Sequence, residues 1–592
     1  MMRSCREEEV RLTFNIVEDR IAAGQDEPEK DNKPDEEDVG SKEKNKKEDA
    51  DGDNAKNKED KEQGSKEHGS STTGSKVTRS KLSEDPKSKV IEGRFTSTLA
   101  AAVTSVTLAS FQFGYHIGCV NAPGGLITDW IIQSHREKYN VTLDKQSADL
   151  TWSTIVAVFG VGGAIGGLIS GFIADKCGRR NGLLCTNVLV FVATAMMAFV
   201  KIFKVYWTMV VGRLLIGIYA GLTILVPMYL TEVPPTNLRG MIGSLHQLLV
   251  TIGILVSQVV GLPMLFGTQS RWPFIFGIAA IPALIQVISL PLIPESPKFT
   301  LCFKGQVEQA TKDLEKLRGT TDVAAEIDMM REEALGPKGQ SAAEEHLTFG
   351  DMFRGDLRWP MTIAVFLMIA QQLSGINAVM FYSTVIFKQA GLTDENAVYA
   401  TIGVGIVNVL MTVVSVWLVD HPRFGRRSLL LFGMIGMWIS TLLLVVCIST
   451  SMNGAKWGSY GAIFFIMLFV ISFAAGAAQI TPKLEVVLCI LQNYMLLLMN
   501  TMYVVTGSIP WFFVSEIFFS NARANANSVA TLTNWSSNVV VGLLFLPINN
   551  LIQQYTFLVF TGFLTLFTFF IYKYVPETKG KTTEEINAEL HQ

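Results

Sequence analysis

The chain has 592 residues, 50 Lys plus Arg against 53 Asp plus Glu, a formal net charge of -3 and 49% hydrophobic residues, with a mean hydropathy of +0.30. About 45 of the charged residues precede Arg94, which leaves the rest far poorer in charge than an average soluble protein. The mixed signs before Arg94 argue against a nucleic-acid-binding arm, and the apolar remainder argues against a water-soluble enzyme.

Residues 1–94 carry runs such as Lys42-Glu-Lys-Asn-Lys-Lys-Glu-Asp49 and almost no aromatics, too little apolar surface to offset chain entropy. They are expected to form a disordered cytoplasmic tail. The cationic and apolar order of a signal peptide is missing, so the first membrane helix must do the targeting. From Phe95 onward, apolar segments of about 20 residues recur, each long enough to cross a hydrocarbon core about 30 Å thick. They fall near 95–117, 151–174, 182–202, 206–229, 240–264, 272–293, 359–387, 397–419, 428–449, 458–477 continuing at 507–519, 529–548 and 555–575. The expectation is an all-α membrane protein with twelve transmembrane helices. Gly160-Val-Gly162-Gly163-Ala-Ile-Gly166-Gly167 suits helices whose backbones approach closely in lipid.

Lys176, Arg179, Arg180, Arg239, Arg423, Arg426 and Arg427 face the cytoplasm if both termini are inside, as the positive-inside rule prefers. The loop at 118–150 is then outside, and its Asn140-Val-Thr142 is a glycosylation acceptor triplet. Asn534-Trp-Ser536 is the same triplet inside an apolar span, where it cannot serve. Between the sixth and seventh spans, residues 294–358 read as a cytoplasmic helical linker, with Val307, Ala310, Leu314 and Leu317 on one helical face. The tail at 576–592 holds a short helix that Thr583 can begin. The seven cysteines and seven histidines form no disulfide framework, metal site or catalytic constellation, so neither a cofactor nor enzymatic activity is expected.

One set of charged signatures occurs twice. Asp175-Lys-Cys-Gly178-Arg179-Arg180, Glu232 with Arg239, and Pro294-Glu295-Ser296 are matched by Asp420, Gly425-Arg426-Arg427, Glu516 with Arg523, and Pro576-Glu577-Thr578. Two halves with one charge pattern, 95–293 and 359–575, indicate a transporter of two six-helix bundles with its substrate site between them. The separation Arg180 to Arg427 is 247, whereas Glu232 to Glu516 is 284 and Glu295 to Glu577 is 282. Extra chain therefore entered the second half after Arg427, and residues 478–506 are expected to be an insertion foreign to the fold.

Polar residues inside apolar spans are costly and mark pathways or sites. Gln247, Gln371, Gln372, Asn377, Asn408, Asn534 and Asn538 are neutral amides that both donate and accept, and Trp511 adds an aromatic plane. That set suits a polyhydroxylated neutral solute; an ion carrier would show charge.

Phe111-Gln-Phe-Gly-Tyr115 with Asn121-Ala-Pro123, Gly178-Arg-Arg180, Val226-Pro-Met-Tyr229, His246-Gln247, Gln371-Gln-Leu-Ser-Gly-Ile-Asn377, Gly405-Ile-Val-Asn408, Ile509-Pro-Trp511, Asn534-Trp-Ser-Ser-Asn538 and Pro576-Glu-Thr-Lys-Gly580 follow one another in order. From about residue 95 onward the chain resembles the animal facilitative glucose transporters, of the sugar porter family in the major facilitator superfamily. The resemblance implies passive hexose transport at the plasma membrane by alternating access. It implies sugar contacts at Gln247, Gln371, Gln372, Asn377, Asn408, Trp511 and Asn534, and an outer gate at Asn121 and Tyr382. Arg179, Arg180, Arg213, Glu232, Arg239 and Glu295 in one half, with Asp420, Arg426, Arg427, Glu516, Arg523 and Glu577 in the other, are expected to pair as a cytoplasmic latch that biases one state.

Three departures bear on function. His116 stands where proton-coupled members carry Asp and facilitators Asn, which keeps proton-coupled symport as an alternative, although the expected nearness of Arg213 favours passive transport. Met368-Ile-Ala370 is closer to members that also accept fructose, and Ala474 replaces a family Glu, so a broad hexose pocket is expected. The long tail also leaves open a non-transporting sugar sensor of the same fold.

Overall fold

The computed structural model describes residues 94–335, 350–419, 426–474, 514, 517, 518, 520–578, 581 and 583–590. Among these every regular element is helical. In the first half they are α1 (Ser97–Gly118), α2 (Gly124–Tyr139), α3 (Lys145–Cys177), α4 (Arg179–Ala198), α5 (Trp207–Leu222), α6 (Leu225–Glu232), α7 (Arg239–Val260) and α8 (Ala280–Ser289), the last preceded by a short helix, Pro273–Gly277. The linker holds α9 (Val307–Arg318) and α10 (Ala324–Leu335). The second half comprises α11 (Arg358–Leu373), α12 (Ile376–Gln389), α13 (Asp394–Val419), α14 (Arg426–Met452), α15 (Lys456–Ala474), α16 (Ser520–Ile552) and α17 (Thr556–Tyr574), and α18 (Thr583–Leu590) closes the chain.

Local chemistry sets the boundaries. The Thr96 hydroxyl accepts the Leu99 N–H at 3.1 Å and begins α1. Asp144 does the same for α3 through Ser147, and hydrogen bonds from Ser147 hold its carboxyl below the usual carboxylate range. Gly178, at φ 92°, turns the chain between α3 and α4, a conformation that favours glycine. Ten stretches of described helix are long and apolar enough to cross a membrane, and one of them, Asn525–Tyr574, contains most of α16 and all of α17. Over the described residues these stretches, with α1, coincide with the expected spans; in the tenth, residues 475–477, 507–513, 515, 516 and 519 lie outside the described residues. Exposed Phe172, Ile202, Ile288 and Leu292 give the helices an apolar outer surface suited to lipid.

Lipid supplies little hydrophobic drive between helices, so close backbone contact must hold them together. Here α3 crosses α5 on glycine. A Cβ at Gly162 would fall 2.2 Å from the Leu214 carbonyl oxygen, and one at Gly217 would fall 2.2 Å from that of Phe159. No rotamer change relieves a clash with backbone. Gly217→Val should therefore cost more than the ~1–3 kcal/mol of ordinary over-packing and abolish the monodisperse peak in detergent size-exclusion chromatography. A normal peak would refute the contact.

In the linker, Ala310, Leu314 and Leu317 are buried as the periodicity predicts, whereas Val307, at the first position of α9, is 39% exposed. The Leu317 carbonyl accepts the Thr96 hydroxyl at 2.7 Å, tying α9 to the start of α1, and a buried Arg318–Glu326 pair closes at 2.6 Å beside it. In the last helix, Ile586 is fully buried.

Candidate functional site

Successive apolar spans alternate in direction, α5 with α6 and α11 with α12 each making one span, so each half has an end near Asn140 and an end near Arg179. The seventh apolar span is not one helix. It breaks at Ser374-Gly375, with Gly375 at φ 99°, so that Gln371 and Gln372 finish α11 while Asn377 sits in the first turn of α12. Across from this break, Asn534 and Asn538 stand one turn apart on α16. Asn534 Nδ2 donates to Gln371 Oε1 at 2.6 Å, and Gln372 Nε2 donates to Asn534 Oδ1 at 3.0 Å. Asn377 Nδ2 and Asn538 Nδ2 both donate to Gln372 Oε1, the latter at 3.3 Å. Met368 Sδ lies 3.7 Å from Asn534 Nδ2, so the first residue of the Met-Ile-Ala triplet touches the centre of the network.

The structure thus brings Gln371, Gln372, Asn377 and Asn534 together. Gln247 is exposed on α7, and Asn408, largely buried, sits on α13. Trp511 lies outside the described residues. Among the described residues no charged group belongs to this network, and its amides bond to one another as donors and acceptors, with Asn538 Oδ1 left without a partner. Hydroxyl groups, which both donate and accept, are matched chemically to such amides.

At the Asn140 end the two halves are joined. Asn121, just beyond α1, donates to the Met380 carbonyl and the Ser383 hydroxyl, both at 2.7 Å, and accepts the Thr384 N–H at 3.1 Å. Tyr382 donates to the Gly542 carbonyl at 2.8 Å and stacks on Phe545. Asn550 reaches Asp149 at 3.0 Å. Deeper in, Trp535 packs against Phe113 and Phe159, over Gly163, where a Cβ would fall 2.5 Å from the indole. Sequence reasoning missed this wedge. Trp535 lies between the two asparagines of its motif, but its direction depends on how α16 meets α3.

At the Arg179 end the ion pair and the carboxylate caps seen among the described residues each lie within one half. Arg179 pairs with Glu232 at 2.8 Å, and the Ser296 hydroxyl completes that carboxylate at 2.6 Å. Glu295 meets backbone instead of a guanidinium: its carboxylate accepts the N–H groups of Arg179, Arg180, Asn181 and Ser296 at 2.9–3.3 Å. The second half repeats the device, with Glu577 accepting the Arg427 N–H at 3.1 Å. Arg180 reaches the Ile293 carbonyl, and Arg239 is exposed. Asp420 and Glu516 lie outside the described residues, as do the side chains of Arg426 and Arg523.

Arg213 departs from the expected latch. It is fully buried, its Nη1 donates to the His116 carbonyl at 2.8 Å, and its guanidinium lies 4.4 Å from the Phe159 ring centroid. The reason is direction: α5 starts at the Asn140 end with Trp207, so residue 213 is less than two turns in. Among the described residues, Arg213 has no carboxylate partner, and neither ring nitrogen of His116 has a hydrogen-bond partner.

Asn140 itself is exposed and caps the carboxyl end of α2 at φ 55°.

Comparison with known proteins follows the same lines. A family profile described as "Sugar (and other) transporter" matches residues 102–484 and 487–590. The "Facilitated glucose transporter protein 1" of Caenorhabditis elegans is 54% identical over 503 residues, 85% of this chain and 92% of that protein. The "Solute carrier family 2, facilitated glucose transporter member 1" of Gallus gallus is 40% identical over 84% of this chain and 94% of its own length. Among solved structures, the inward-open xylose transporter XylE from E. coli superposes with a TM-score of 0.64, at 24% identity, over 83% of this chain and all but 1% of that one. The proton:xylose symporter XylE bound to 6-bromo-6-deoxy-D-glucose gives 0.62 at 25% identity, over 84% of this chain and 100% of that one.

Proposed function

Because this chain belongs to the sugar transporter family of the major facilitator superfamily, we propose that it is a uniporter carrying hexoses, glucose and fructose among them, across the plasma membrane by alternating access. The observation that carries the reading is the uncharged amide network on α11, α12 and α16. Relatives named for facilitated glucose transport support it, as does the lack of a carboxylate beside Arg213 among the described residues. In the empty site each amide is already bonded to another, so a hexose exchanges hydrogen bonds instead of adding them. Net gains are small, which gives weak binding, about −4 kcal/mol for a millimolar site, and lets the sugar leave on the far side. Gln247 and Asn408 complete the sugar's environment from α7 and α13, with Trp511 stacking on it, and Asn121 and Tyr382 close the Asn140 end. Arg179, paired with Glu232, and the helix caps made by Glu295 and Glu577 order the Arg179 end, where guanidinium groups of the first half pairing with carboxylates of the second, Asp420 and Glu516 among them, form the latch.

The test is flux into proteoliposomes that contain only this protein. Saturable hexose uptake, indifferent to an acid exterior and inhibited by a hundredfold excess of fructose, is the expected result. Accumulation driven by protons would replace uniport with symport, fructose without effect would narrow the pocket, and absence of flux with retained sugar binding would make the protein a sensor.

Two expectations concern topology. With the Asn140 end outside, Asn140→Gln should remove a glycan and increase gel mobility in animal cells; unchanged mobility after glycosidase and mutation alike would leave that end unassigned to the exterior. Deleting residues 478–506, which lie outside the described residues, should preserve or increase hexose uptake and keep the carboxyl terminus cytoplasmic. Lost uptake in a deletion variant at the cell surface would make the segment part of the working protein.

A further inference from the structure

Gln258 is a buried amide without an explanation in the closed contact. It lies on α7 toward the Asn140 end, is 1% exposed, and neither its Oε1 nor its Nε2 has a hydrogen-bond partner among the described residues. An orphaned side-chain amide is costly in any interior, and a leucine would fill such a place more cheaply. Its neighbour is the opposite half. A Cβ added to Gly405 on α13 would fall 2.1 Å from Gln258 Oε1, so the amide fits only because residue 405 has no side chain.

Two helix registers define the place further. Gln258 is eleven residues beyond Gln247, close to three full turns, so both amides share one face of α7 about 16 Å apart. Gly405 is three residues before Asn408, so the spot that receives Gln258 and the Asn408 side chain lie on one face of α13. The amide therefore sits between the sugar chamber and the Asn140 end, on a surface that the halves cover together. Parting of the halves at that end exposes both of its atoms on the approach to the chamber.

We propose that Gln258 is a gate-side hexose contact, sealed and unpartnered while the halves meet at the Asn140 end and hydrogen-bonded to a sugar hydroxyl when they part. The inference rests on the transport reading above. It assigns a state-specific role: the amide adds affinity in the state open at the Asn140 end, and its unmet hydrogen bonds disfavour closure of the empty gate.

The experiment uses the full chain in proteoliposomes of known orientation, comparing wild type with Gln258→Leu and with Gln258→Met, which keeps the length and flexibility of the side chain. A passive carrier must hold Vmax/KM equal in the two directions, so the informative quantities are the separate KM values. KM for glucose presented at the Asn140 face should rise about five- to tenfold in both variants, as expected for one lost hydrogen bond, while KM at the opposite face stays within twofold. Among monodeoxyglucoses, one sugar should give the same Asn140-face KM in wild type and variants, because it lacks the hydroxyl that Gln258 meets. Gln258→Asn should restore part of the loss. Wild-type vesicles without saturable flux would overturn the transport reading. Wild-type flux with KM unchanged in the variants, or raised equally at both faces and for every deoxy sugar, would overturn the role of Gln258 alone. If Gln258→Leu does not fold, the Met variant carries the same comparison.

Discussion

Asn534→Ala should weaken hexose binding about 5- to 150-fold, the equivalent of ~1–3 kcal/mol, with normal folding and surface expression. Asn534 is the hub of the amide network, donating to Gln371 and accepting from Gln372. Truncation removes one sugar contact and also takes one partner each from Gln371 Oε1 and Gln372 Nε2. Gln371→Ala should show a defect of the same kind, because it removes a partner of Asn534 as well as a sugar contact. Binding read by sugar-dependent thermal stabilisation separates this from a change in turnover. Unchanged affinity in Asn534→Ala would move the sugar site away from α16.

The spans were legible because a bilayer demands about 20 apolar residues per crossing, and little else in a sequence produces that pattern. The amide set was legible for the same reason turned around, since each member interrupts an apolar run and needs a partner. What remained hidden depends on register between helices. Nothing in the run around Trp535 shows that its indole wedges between Phe113 and Phe159, because that contact requires α16 to meet α3 over Gly163. Gln258 looks like any other polar residue near a helix end until Gly405 is seen against it. Arg213 is the mixed case: its expected nearness to His116 holds, whereas its charge also groups it with the latch arginines, which lie at the other end. Its distance from the start of α5 was the available signal, and that distance places it beside His116.

The repeated Glu of the Pro-Glu motif presents a sharper disagreement between charge pattern and geometry. By sign, Glu295 looks like a partner for an arginine in the opposite half. By position, it is an anion at the amino end of α4, accepting three N–H groups of the first turn and that of Ser296. A helix amino terminus leaves its first N–H groups without intrahelical partners and carries partial positive charge, so a buried carboxylate there satisfies both needs. Gly178 makes the site: a Cβ would fall 2.7 Å from Glu295 Oε2. Gly178-Arg-Arg followed at long range by Pro-Glu is therefore a capping device, repeated by Glu577 at the start of α14. Glu295→Ala orphans at least two buried N–H groups, a loss on the order of 2–6 kcal/mol at ~1–3 kcal/mol each. At ~2–4 °C per kcal/mol, the melting midpoint in detergent should fall by about 5–20 °C. Glu295→Gln, which keeps one accepting oxygen but turns an NH2 toward the remaining donor, should fall between. A latch acting only across the halves predicts the opposite pattern, with transport altered and the midpoint of the empty protein unmoved. A full-height midpoint in Glu295→Ala would therefore return this residue to the latch and remove it from the helix.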